Sequence, residues 1–241
     1  MDHNTNLAIA AILMSFLVAF ALLFDMCKIG ENRNTLGFSP NNALATLVAC
    51  LFAIFYSSVS STYVVYMIGD GVSFLTATLY LIMFFKHATV SKRYLIVGVT
   101  TLLFLTFGVL LVLHFGFIHD GDMAGKKIVK LTSAYLYAVS ASVGFVMPFI
   151  LAVFEFRGTG RVKSFSWLLS ILGMVTCALW IAHTCTGSAV DNFTLIPNAI
   201  GLGACAVQFG LWYYFAKIRI QEQENNNQGG INGGGGGLEM N

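Results

Sequence analysis

An all-α integral membrane protein of seven transmembrane helices is the fold that the sequence predicts, and three observations predict it. The 241-residue chain is 57% hydrophobic and 10% charged, where soluble domains carry roughly 25% charged residues. Its mean hydropathy is +0.77. Its apolar residues also gather into seven runs close to the roughly 20 residues that a helix needs to cross a hydrocarbon core of about 30 Å. Runs so long and so evenly apolar are helices rather than strands, because a helix satisfies its own backbone in lipid. A net charge of +2 gives no footing for nucleic acid, and none is expected as a partner.

The runs follow in order. Residues 1–6 form a short extracellular N-terminus. Leu7–Cys27 comes next, with no basic leader and no clear small-residue cleavage site, so it reads as a retained span. The second run, Asn42–Ser60, is opened by Pro40. The third, Tyr63–Phe85, places Asp70 between Gly69 and Gly71. The fourth, Tyr94–Phe117, carries no chemistry and reads as a linker. Pro148 interrupts the fifth, Thr132–Glu155. The sixth is Trp167–Thr186. The seventh, Phe193–Lys217, contains Pro197 and Asn198. Residues 218–241 form a polar, Asn- and Gly-rich tail that buries too little apolar surface to fold, and it is expected to be disordered.

Seven spans put the termini on opposite sides. Lys28, Arg33, Lys86, Lys92, Arg93, Arg157, Arg161, Lys163, Lys217 and Arg219 fall on one side, and only Lys126, Lys127 and Lys130 on the other. The excess of basic residues marks the cytoplasmic face. The N-terminus is then outside and the C-terminus inside, in a multi-pass protein of the plasma membrane or an internal one. The basic outer loop also carries Asp120 and Asp122.

The chain also repeats. Tyr-Met-Ile-Gly-Asp70-Gly in the third run matches Leu-Ile-Pro-Asn198-Ala-Ile-Gly in the seventh, in that each sets one polar side chain in a helix-loosening context. The second and sixth runs agree in layout at nearly the same spacing, with Tyr56 three residues after Ala53 and His183 three after Trp180. The organisation is therefore three helices (7–86), a linker (94–117) and three helices again (132–217). The single linker gives both units the same orientation. Parallel repeats of this kind are a transporter architecture with a substrate site near midplane between the units.

The segment Leu195-Ile-Pro197-Asn198-Ala-Ile-Gly201, followed by Gln208, resembles the last helix of the SWEET (MtN3/saliva) sugar transporters. Ser164-Phe-Ser-Trp-Leu-Leu-Ser170 with Thr176-Cys-Ala-Leu-Trp180 is similar to the family's sixth helix, and Cys50-Leu-Phe-Ala-Ile-Phe-Tyr56 to its second. The resemblance runs from about Leu7 to Phe215. It implies a uniporter moving mono- or disaccharides down their gradient by rocking two bundles, with no cofactor and with a homo-oligomer as a possible assembly. It also implies that the sugar lies between an Asn from each third helix and a Trp from each second helix, and that prolines act as hinges.

Carried onto this chain, the sugar site is Asn198, Asp70, Trp180, Thr176, Ala53 and Ala49. Asn198 offers both donors and an acceptor to hydroxyls. Asp70 departs from the family's Asn. A carboxylate in a span is expensive and usually functional, and its titration would make transport depend on pH. Trp180 gives a flat face to the C–H side of a pyranose, with Thr176 one turn earlier. Their counterparts Ala53 and Ala49 are small, which predicts a lopsided pocket that Phe52 or Phe55 could refill. Pro40, Pro148 and Pro197 are the hinge candidates. The family's further prolines, expected near Leu22 and Ser166, are missing. Tyr56, His183 and Asp191 are candidates for an extracellular gate.

The alternatives are a seven-helix receptor and a PQ-loop-like carrier of another solute. A receptor needs no internal repeat, and the prolines here are followed by Asn, Phe and Asn rather than Gln. A retinal protein would need a lysine in the middle of the last span, whereas Lys217 lies at its end. Cys27, Cys50, Cys177, Cys185 and Cys205 show no metal-type spacing, and neither metal nor enzymatic chemistry is expected.

Overall fold

The structure, a computed structural model, describes residues 3–35, 38–60, 64–119, 123–159, 167–187 and 190–232. Asp120, Asp122, Arg161, Lys163, the stretch Ser164–Ser166 and the end of the tail lie outside the described residues. Seven helices follow one another: α1 (His3–Asn32), α2 (Asn41–Ser60), α3 (Val64–His87), α4 (Val90–His119), α5 (Met123–Thr159), α6 (Trp167–Thr186) and α7 (Asn192–Asn232). Each holds a stretch long and apolar enough to cross a membrane. Among the described residues there is no strand.

Packing turns the repeat into a ring. α3 packs between α1 and α2, and α7 packs between α5 and α6. The two bundles then meet along two seams, α2 against α5 and α1 against α6. Exchanging α1 with α5, α2 with α6 and α3 with α7 leaves this set of neighbours unchanged. The contacts thus have an approximate two-fold symmetry, in which α3 and α7 occupy opposite places and do not touch.

The linker breaks that symmetry. α4 lies against α5, α2 and α3. Its Ile96, Leu103 and Leu110 join Leu44, Leu47, Leu51, Phe52 and Phe55 of α2 and Phe84 of α3 in the main apolar core. Phe55 meets Phe107 of α4 edge-on at 5.6 Å and His114 at 5.8 Å. On the other bundle α6 leaves Leu168 and Val175 exposed. Phe52 and Phe55 are therefore committed to the α4 side of α2 and do not refill the expected space beside Ala53.

Two boundaries differ from the sequence expectation. α7 continues past the membrane-spanning part, which ends at Lys217, to Asn232, so residues 218–232 are helical where a disordered tail was expected. The physical reason is propagation: once a helix is nucleated, each further residue adds a bond, and the Gln and Glu residues after Arg219 are good helix formers. Residues 233–241 lie outside the described residues. Pro40 stands just before α2, where its carbonyl accepts the Leu44 N–H at 2.9 Å. It is a helix-start proline, a position that tolerates the missing N–H, and no kink is built on it. Pro148 and Pro197 do lie inside helices.

Candidate functional site

The faces of α3 and α7 locate the site. On α3 the exposed positions include Ile68, Leu75, Leu79 and Ile82, and the matching positions on α7 are Ile196, Gly203, Val207 and Gly210, also exposed. Asp70 and Asn198 each follow the first of these by two residues, a turn of about 200° at 3.6 residues per turn. Both therefore point away from the lipid-facing stripe, from opposite places in the ring.

Asn198 is 6% exposed. Its Nδ2 donates to the Thr194 carbonyl at 2.8 Å and makes no other hydrogen bond among the described residues. Pro197 lacks the N–H that would bond the Phe193 carbonyl, so the amide ties the first turn of α7 to the next across that gap. One Nδ2 hydrogen and Oδ1 remain for a ligand.

Asp70 is half-buried and has neither a hydrogen bond nor an ion pair among the described residues. Its neighbour Gly69 faces α1, where an added Cβ would lie 3.8 Å from Ser15 Oγ. Cys50 of α2 is buried and close enough to feel the Asp70 charge. Asp70 thus adjoins the residue of α3 that packs against α1.

Trp180 lies at the α1–α6 seam, packed with Ala11 of α1 and flanked by Ile12 and Leu179. The His183 ring meets it at 5.8 Å and 71°. The Thr176 hydroxyl donates back to the Leu172 carbonyl at 2.8 Å, which leaves its oxygen able to accept. Ala49 is half-buried and Ala53 is 2% exposed, so no open space adjoins Ala53 itself.

Where α2 ends and α7 begins, the bundles are joined by side chains. Tyr56 Oη donates to Asp191 Oδ2 at 3.2 Å. Asp191 also caps α7, accepting the Phe193 N–H at Oδ1 (3.0 Å) and the Thr194 hydroxyl at Oδ2 (2.8 Å). An aspartate at this position satisfies donors that a helix start leaves free. Tyr137 of α5 stacks on Tyr56 at 5.9 Å, and Phe193 meets Tyr56 at 6.3 Å and Tyr135 at 5.2 Å.

No family model matches the chain. Curated relatives do. Over 218 residues the chain is 22% identical to bidirectional sugar transporter SWEET5 of Arabidopsis thaliana, covering 89% of this chain and 87% of that protein. It is 25% identical over 201 residues to bidirectional sugar transporter SWEET2 of the same organism, covering 81% and 80%. It is 24% identical over 207 residues to bidirectional sugar transporter SWEET13 of Oryza sativa subsp. japonica, covering 84% and 66%. A solved structure of a eukaryotic SWEET transporter superposes with a TM-score of 0.67 at 20% identity, covering 90% of this chain and all of that one; it shares the fold. The chain is thus similar to SWEET transporters in sequence along most of its length and in fold.

Asp70 and Asn198 take equivalent inward positions, and Tyr56 and Asp191 are bonded to each other. His183 stands beside Trp180. Thr194, Tyr137 and Phe193 were not foreseen at this end of the bundle. The Asp191-Asn-Phe-Thr194 spacing, a capping pattern at a helix start, was the available signal for Thr194. The tight α6–α7 seam was also missed. A Cβ at Gly201 would fall 2.8 Å from Cys177 Sγ and 2.8 Å from the Phe145 ring, and one at Gly173 would fall 2.8 Å from Cys205 Sγ. Small residues let membrane helices approach closely. Gln208 and Tyr80 share one repeat position. Gln208 receives the Ser170 hydroxyl at 3.5 Å and donates to the Phe145 carbonyl at 3.2 Å. The Tyr80 hydroxyl donates to the Ser39 carbonyl at 3.4 Å.

Proposed function

We propose that this protein is a facilitative, bidirectional sugar carrier that works by alternating access, and is not an enzyme. One observation carries the reading: Asp70 and Asn198, the polar residues at matching places in α3 and α7, both turn inward from opposite sides of a two-fold ring. Polar side chains are costly in lipid, and a hydroxyl-rich solute between the bundles gives both a partner. Trp180 offers an apolar face at the adjoining seam, with Thr176 and Ala49 completing the wall and Ala53 packed behind it. The names of the relatives supply the substrate class, a sugar of one or two rings.

The Tyr56–Asp191 bond closes one end of the path. The excess of basic residues at the opposite end makes this the extracellular gate, in a chain with its N-terminus outside and its C-terminus in the cytoplasm of a plasma-membrane protein. His183 supports the gate from beside Trp180. Pro148 and Pro197 supply the bending points when the bundles rock. The test is uptake of radiolabelled glucose and sucrose in cells lacking sugar transport. The wild-type chain raises uptake of at least one above empty-vector cells and Asn198→Ala abolishes the gain. No gain with the wild type for either sugar refutes the reading.

A further inference from the structure

The two inward side chains are equivalent in place but not in chemistry. Asn198 donates and accepts. An ionised carboxylate only accepts, so whatever meets Asp70 in that form must present donors. Among the described residues no group supplies one. Asp70 has no hydrogen bond or ion pair among the described residues, and the α1 side chain facing the adjoining Gly69 is the uncharged Ser15. The Ser15 hydroxyl is directed to the Ala11 carbonyl at 3.0 Å. The basic residues of α3 and the start of α4, Lys86, Lys92 and Arg93, sit at the helix ends, where Lys92 and Arg93 lie over Phe84 and Phe85. A carboxylate facing the path without a counter-charge attracts cationic groups and repels anionic ones, and low dielectric strengthens both effects.

We infer that Asp70 sets the charge selectivity of the site. Resting on the sugar-carrier reading, it makes the carrier prefer a sugar bearing a protonated amine over its neutral counterpart, and exclude sugars bearing a carboxylate or phosphate. The amine takes the Asp70 side, donating N–H bonds to the carboxylate, while ring hydroxyls meet the Asn198 amide. Specificity arises as much from the repulsion of anions as from the attraction of the amine.

The experiment is inhibition of radiolabelled glucose uptake near neutral pH by glucosamine, N-acetylglucosamine and glucuronate. In the wild type glucosamine inhibits about tenfold more strongly than N-acetylglucosamine, the scale by which a charge-assisted hydrogen bond exceeds a neutral one, and glucuronate does not inhibit. In Asp70→Asn the two amino sugars differ by less than about twofold, because the neutral amide removes the charge term. Equal inhibition by the two amino sugars in the wild type overturns the inference while leaving glucose transport intact. That wild-type comparison decides the matter even where the variant fails to reach the membrane. A wild-type preference that persists unchanged in Asp70→Asn also overturns the assignment to Asp70. Absence of glucose uptake in the wild type, with sucrose equally inert, instead removes the carrier reading on which the inference stands, and the inference falls with it.

Discussion

Tyr56 and Asp191 belong to different bundles and meet at the start of α7, with the Tyr56 hydroxyl on the same carboxylate oxygen that receives the Thr194 hydroxyl. The acceptor of this cross-bundle bond is therefore also the cap of the helix that holds Asn198. Tyr56→Phe removes the cross-bundle bond but leaves the cap intact. A hydrogen bond to a charged group contributes about 1.5–3 kcal/mol, so the closed end should open about tenfold more often. The check is the rate at which a membrane-impermeant maleimide modifies a cysteine placed at the half-buried Ala49, in a chain whose own cysteines are replaced. An unchanged rate would show that the bond does not hold the gate.

Asp191→Asn tests the cap separately from the gate. Asparagine caps a helix about as well as aspartate but is a neutral acceptor for Tyr56. Thermal stability in detergent should shift little, while maleimide accessibility rises as in Tyr56→Phe. A large fall in melting temperature with no change in accessibility would assign Asp191 to the fold alone.

Asn198→Ala removes both the ligand-facing amide and the tie to Thr194. Uptake should fall more than about tenfold, consistent with loss of one or two good hydrogen bonds at a desolvated site. Melting temperature should fall only modestly, because a single Thr194 bond is lost. Equal losses of folded protein and of uptake would mean that Asn198 serves packing.

The α6–α7 seam allows a rescue experiment. A Cβ at Gly173 meets Cys205 Sγ at 2.8 Å with nothing else closer than Cys205 Cβ at 3.9 Å, whereas a Cβ at Gly201 meets both Cys177 Sγ and Phe145. Each Gly→Ala change should cost about 1–3 kcal/mol by overpacking. Cys205→Ala should restore most of the melting temperature of Gly173→Ala. Cys177→Ala should restore only part of that of Gly201→Ala, because the Phe145 ring stays in place. Equal rescue at both sites would contradict this wall-by-wall account.

The asymmetry between Ala53 and Trp180 gives a further prediction. Trp180→Ala opens a hole at the α1–α6 seam, at a cost of about 3–5 kcal/mol in a well-packed site. Ala53→Trp cannot simply restore the missing ring, because Ala53 is already 2% exposed. It should lower the melting temperature rather than tighten sugar binding. A stable Ala53→Trp protein with improved uptake would show free space beside α2.

The sequence by itself determined the seven spans and the pairing of Asp70 with Asn198. Membrane insertion depends on run length and hydropathy, which are local properties, and a repeat is visible in one dimension. It also singled out Tyr56, His183 and Asp191 near the ends of their spans, of which the structure bonds Tyr56 to Asp191. What only the tertiary structure decided was the ring order, because apolar helices do not specify their neighbours by composition. The side cover of α4 followed from that order. It drew Phe52 and Phe55 outward into the core and left Ala53 without the room that its small size suggested. The Cys–Gly seam was hidden for the same reason: close approach is a property of two surfaces brought together, and neither surface declares it alone. The place of Pro40 at the start of α2 was fixed once the first bond of α2 could be located. The helix beyond Lys217 likewise shows that composition describes tertiary burial better than it describes where an established helix stops.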